Sequence, residues 1–156
     1  MPWAIPLIAV SLTYIFGRLQ SHASHKKQQC QLRYDSFYVP FVSRLYAGYM
    51  WERPFSSNDV QARSVFFDLI VKNVQFLGHR SQALLPEVYK SFLDMLEYDE
   101  GNPGYLGAPE IYDSTMNRFT KAMLEEGSLM SRKLRLPNLC KPFEVLGYLS
   151  QEQHKT

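Results

Sequence analysis

His22, His25 and Cys30 gather metal-ligating side chains near the N-terminus, and two histidines three apart can share one helix face. No fourth ligand accompanies them, so this stretch reads as a solvated basic linker and no metal or other cofactor is expected. Cys140, a single cysteine near prolines, reads as a small apolar filler rather than a nucleophile. His79 stands beside Arg80 after an apolar helical pattern, where a cation would complement a helix C-terminus. The GxSxG, HExxH, GxxxxGK[ST] and paired CxxC patterns do not occur. No catalytic residue is identified. An enzymatic alternative would need His79 brought together with Asp94 or Asp113 in one pocket.

The stretch from Asp99 to Pro109 holds Gly101, Gly104 and Gly107, a spacing that superficially suggests a phosphate cradle. The local charge argues against it. Asp94, Glu97, Asp99, Glu100, Glu110 and Asp113 follow one another without any base between Lys90 and Arg118, and such a field repels phosphate. Asn102-Pro103-Gly104 is turn chemistry, and the calcium-loop spacing is missing. The functional alternative to a plain connector is a docking surface for a basic partner. Asp99 and Glu100 are its candidate residues, with Trp51 as a candidate exposed anchor.

The formal net charge of +2 argues against a dedicated nucleic-acid binder, and two cysteines exclude a disulfide scaffold or a four-cysteine zinc site. Along the 156 residues that charge is distributed unevenly. Residues 1–17 carry no charged side chain. Residues 18–34 carry Arg18, Lys26, Lys27 and Arg33 and no acid, whereas the remainder is net acidic. Residues 127–143 swing back with Arg132, Lys133, Arg135 and Lys141. The order is apolar, basic, acidic, basic.

The uncharged opening, MPWAIPLIAVSLTYIFG, would span roughly 25 Å as a helix, slightly short of a ~30 Å hydrocarbon slab. Leu19 and the stem of Arg18 extend it, and Trp3 and Tyr14 suit the two interfaces. Residues 1–19 are therefore expected to form a single transmembrane anchor. The positive flank predicts an outside N-terminus and a cytoplasmic remainder. A cleaved signal peptide is the alternative, because Ser21-His22-Ala23 offers small residues for a cut, and it would make the protein secreted. A buried core helix is the third reading of so short a run. Arg18, Lys26, Lys27 and Arg33, with Arg132, Lys133 and Arg135, are the candidate membrane-surface residues, and Lys26, Lys27 and Arg33 would each contribute about 1 kcal/mol near anionic lipid. For the second group the competing reading is a helix end whose cations complement the dipole.

The rest of the chain shows helical periodicity and no convincing period-two alternation. A first stripe runs Tyr34, Tyr38, Phe41, Leu45, Tyr49, with Pro40 kinking it or marking its start. A second follows Asn58-Asp59 from Val60 through Phe66, Phe67, Ile70 and Val74, with Gly78 closing it in a left-handed cap; this helix is expected to be the most buried. A third starts around Leu85-Pro86-Glu87, and a fourth at Pro109-Glu110, ended or weakened by Gly127. Closing turns follow at 143–149. The fold class is all-α: an anchor over 1–19, a basic juxtamembrane linker over 20–33, a bundle of about four helices over 34–150, and a polar tail over 151–156. The function expected is an interaction module, a regulator or scaffold held at the lipid bilayer and binding another protein, with no nucleic-acid partner. The sequence specifies no oligomeric state.

Overall fold

The computed structural model describes Arg18, residues 24–48 and residues 52–145, and within them every regular element is helical. The expected anchor, apart from Arg18, and Trp51 lie outside the described residues. Among the described residues no helix is long and apolar enough to cross a membrane.

Residues 24–33, here α1, are helical and run without a break into a π-helical turn, Tyr34–Tyr38, and then α2, Val39–Ala47. Pro40 explains the widened turn. It lacks the N–H an α-helix would use at that place and its ring crowds the carbonyl one turn back. The π turn absorbs this by bonding the Val39 N–H to the Tyr34 carbonyl, so the chain continues where a kink or a start was expected. Part of the stretch read as a linker is thus an extension of the core helix.

Asp59 caps α3, Val60–Lys72, by accepting the Ala62 N–H at 2.6 Å. Asp68 and Lys72 pair on its outer side at 2.7 Å, as their spacing predicts. The helix stops earlier than its apolar pattern suggests and passes through a 3-10 turn, Val74–Phe76. Gly78 is extended rather than left-handed (φ −77°, ψ 176°) and precedes α4, His79–Asp99, instead of closing α3. α4 therefore starts two turns before Leu85. Pro86 sits inside it on the exposed side, where the unbonded carbonyl one turn back meets water.

α5, Ala108–Leu134, is the spine of the bundle, and the expectation that α3 would be the most buried helix is corrected. α3 buries Arg63, Phe66 and Ile70, whereas α5 buries fourteen residues along its length. The difference is one of partners. α5 is covered by α1–α2 on one side and α4 on another, while among the described residues one flank of α3 is left exposed. A short α6, Lys141–Val145, follows. α4 runs antiparallel to α5, as the pairings Ser81–Glu126, Glu87–Arg118 and Phe92–Tyr112 show. The first helix is also antiparallel to α5: Tyr34 donates to the Pro137 carbonyl, Tyr38 to Glu126, and Phe41 meets Phe119. Phe41, Phe55, Phe66 and Phe119 form the aromatic centre of the core, with ring centroids 5.1–6.2 Å apart.

Gly127 neither ends nor interrupts α5; it lets the first helix and Cys140 approach it. A Cβ there would stand 2.9 Å from the Cys140 Sγ and 3.2 Å from Tyr38. Gly127→Ala gains about 1 kcal/mol of helix propensity but forces a buried contact typically costing about 1–3 kcal/mol, so a net destabilisation is expected. Chemical denaturation checks it: Cys140→Ala should remove much of the penalty in the double variant, and purely additive effects would show that the two sites do not touch.

Candidate functional site

The antiparallel arrangement sorts charge along the bundle. One end carries the C-terminal turns of α5 with Arg132, Lys133 and Arg135, and beside it α1 with Lys26, Lys27 and Arg33. The opposite end carries the α4–α5 connection with Glu97, Asp99, Glu100, Glu110 and Asp113. The basic stretches are far apart in sequence and are brought to the same end of the bundle, where Tyr34 is tied to the Pro137 carbonyl at 3.2 Å.

At the basic end Lys26, Lys27, Arg132, Lys133 and Arg135 are exposed, as is Arg18. Arg33 is half-buried and has a structural task, its Nε and Nη2 donating to the Phe76 carbonyl at 3.1 and 2.8 Å. Arg132 donates Nε to the Ser128 carbonyl at 3.3 Å. Arg135 terminates α5 in the left-handed conformation (φ 59°, ψ 38°), and the Leu136 N–H bonds back to the Ser131 carbonyl. Glycine fits that conformation without the cost of roughly 1–2 kcal/mol a side chain incurs. An arginine there holds a third cation outward beside Arg132 and Lys133.

Just inside this end, Glu126 of α5 organises the start of α4. One carboxylate oxygen accepts from the Tyr38 hydroxyl (3.0 Å), the Gly78 N–H (3.1 Å) and the Ser81 hydroxyl (2.7 Å); the other accepts from the Arg80 and Ser81 N–H groups (3.0 and 3.2 Å). A Cβ on Gly78 would lie 2.2 Å from that carboxylate, so glycine is what lets the two segments meet. Burial pushes the Tyr38 phenol well above its usual range, and the Glu126 charge adds to it. His79 and Arg80 therefore stand at a helix N-terminus, correcting the expectation that they complement a C-terminus. Glu126 answers the positive end of that dipole, and Arg80 reaches Glu125 at 2.6 Å. A hollow of about 430 Å³ opens beside them, lined by His79, Arg80, Glu125, Ser128, Leu129 and Arg132.

At the acidic end Asp99 bonds through one oxygen to the guanidinium of buried Arg63, and Glu100 is exposed. Asp113 accepts the Ser56 N–H and hydroxyl, each at 2.7 Å, and so holds the loop before α3 against α5. Burial also raises the Tyr112 phenol, outweighing nearby Arg63, which acts the other way. The structure does not bring His79, Asp94 and Asp113 together. His79 and Asp94 lie on one helix about 22 Å apart along its axis at ~1.5 Å per residue, and Asp113 faces Ser56. Among the described residues no three His, Cys, Asp or Glu side chains form a group fit for a metal ion; His25 is exposed and Cys30 half-buried, and His22 lies outside them.

Glu126 and Arg63 were not singled out from sequence. Each acts on a residue more than thirty positions away, and only Gly78 marks locally that another group comes close. Comparison with known proteins returns no matching family model, no matching curated protein and no matching solved structure.

Proposed function

We propose that this chain is a membrane-tethered helical interaction module whose basic end faces an anionic bilayer and whose acidic end faces a protein partner. The observation that supports this reading is the excess of exposed cations at one end of the bundle and of carboxylates at the other, with Arg44, Arg53 and Lys90 at the acidic end and Asp35 at the basic end as exceptions. A field divided in this way orients a body against a negatively charged leaflet, at about 1 kcal/mol per cation near the surface. The strained backbone of Arg135, where glycine would cost less, supports it further. The uncharged stretch 1–17 supplies the tether, with Arg18 at its boundary.

Carbonate extraction of membranes carrying the full chain tests the tether: the protein should stay with the membranes and leave only in detergent. Release by carbonate, or a mature chain lacking its first two dozen residues, overturns it. Orientation has its own reading in vesicles containing phosphatidylserine. A tryptophan replacing exposed Leu129 should be quenched by brominated lipid beyond the signal of Trp3 and Trp51, and one replacing exposed Ile111 should not. Equal behaviour of the two overturns the proposed orientation.

A further inference from the structure

The flank of α3 and α4 that faces away from α5 carries half-exposed apolar side chains that no other described helix covers. α3 meets α4 through rings, Phe67 lying flat on Phe92 at 4.2 Å between centroids and touching Tyr89 at 5.7 Å. On the outer side of that contact, Val60 and Val71 line α3 and Tyr89 and Leu93 line α4, at 43, 43, 52 and 44% exposure. Their positions follow helical geometry. From Phe67 outward the next places on α3 are those seven residues before and four after it, Val60 and Val71; from Tyr89 the next on α4 is Leu93. The helices run antiparallel, since Arg63 reaches Asp99 while Phe67 meets Tyr89, so these side chains form two walls of one groove floored by rings. Four such residues around an aromatic floor make one contiguous apolar patch rather than singly scattered side chains.

The ends of the groove differ in charge. Glu97 and Glu100 continue the Tyr89–Leu93 row of α4 toward the acidic end, and Asp59 stands opposite at the start of α3. Of the bases nearby, Arg63 is buried on Asp99 and Lys72 is paired with Asp68; Lys90, seven residues before Glu97 and so on its face, also lines a hollow with Asp94 and Tyr105, and the carboxylates remain in excess. Apolar walls with a one-sided acidic mouth match an amphipathic helix bearing lysine or arginine at one end.

We infer that this groove is where the partner docks, and that the partner presents a basic amphipathic helix. The inference rests on the interaction-module reading above and gives its partner a chemistry. It places the contact along the side of the bundle rather than only on the connecting loop with Asp99 and Glu100.

The test uses the full chain in phosphatidylcholine nanodiscs, or in plain buffer should it prove to dissolve without lipid, so failure of the tether leaves this measurement intact. The probe is a labelled four-turn peptide with leucines on one face and lysines at one end, read by fluorescence anisotropy. It should bind, and a peptide with glutamates in place of the lysines should bind at least about tenfold more weakly. Leu93→Asp should remove binding of the lysine peptide with the helical circular dichroism unchanged. Glu97→Lys with Glu100→Lys should reverse the preference between the peptides, which keeps the test decisive should Leu93→Asp fail to fold. Indifference to peptide charge, no binding of either peptide, or unaltered binding by Leu93→Asp would overturn the inference. So would concentration-dependent self-association abolished by Leu93→Asp, which would give the groove to a second copy, or loss of nanodisc contact in that variant, which would give it to lipid.

Discussion

Glu126→Ala is expected to lower the stability of the domain by about 4 kcal/mol, the combined cost of several donors left without an acceptor. For a chain of this size that corresponds to a fall of roughly 10 °C in the unfolding midpoint. The carboxylate accepts five hydrogen bonds from two other helical segments, two of them from hydroxyls almost fully buried, those of Tyr38 and Ser81. Alanine would leave the two buried hydroxyls without that acceptor, while the Arg80 N–H, beside the open hollow, can be met by water. Glu126→Gln separates two causes. The amide keeps the volume and one acceptor but directs an NH₂ at groups that are themselves donors, so about half the loss is expected to persist. Hydrogen exchange should show the first turns of α4 opening before the rest. A uniform change, or a loss under about 1 kcal/mol, would show that the cap is decorative.

Asp99→Ala should cost about 3 kcal/mol, at the low end for a broken buried ion pair because Asp99 is a quarter exposed and water can reach it. Arg63 is the reason for so large an effect: only 3% exposed, it has Asp99 on one terminal nitrogen and the Ser56 carbonyl at 3.3 Å on the other, while its Nε has no partner. Removing the carboxylate leaves a buried cation. Removing the cation does not leave a buried anion, because Asp99 can turn to solvent. Arg63→Met is accordingly expected to fall within about 1 kcal/mol of the parent, and the double variant Arg63→Met with Asp99→Ala to lie near it. Denaturant midpoints at unchanged slope supply all four corners of that cycle. Equal losses for the two single variants would contradict this asymmetry.

Helices were legible where periodicity and local chemistry agreed. The row from Tyr34 to Leu45, the α3 stripe and the Asp68–Lys72 pair come straight from spacing. The misread places share a cause. Glycine at the end of an apolar run usually closes a helix; Gly78 instead makes room for a carboxylate 48 residues away. Pro86 resembles a first-turn proline and points to a start at Leu85, whereas the earlier turns of α4 are held by the distant Glu126 instead of a local cap. α3 looked deeply buried because apolar residues surround it, but periodicity does not say which face finds a partner. The same ambiguity hid the groove: Val60 belongs to the apolar stripe of α3, yet the antiparallel pairing leaves it exposed beside Val71, Tyr89 and Leu93. The basic end was legible in composition, whereas its assembly from two segments required the bundle.

The unbroken passage from residue 24 through the π turn into α2 fixes more than a boundary. A flexible string would let the bundle tumble about its attachment, with its groove sweeping every direction in turn. A stiff spar does not: whatever tilt or twist is imposed at residue 24 reappears at Phe41, about 25 Å further along at ~1.5 Å per residue. Under the proposed tether, the bearing of the α3–α4 flank follows the angle at which residue 24 is held. A one-residue insertion between Lys26 and Lys27 would swing that flank about 100° around the spar without touching a single core contact.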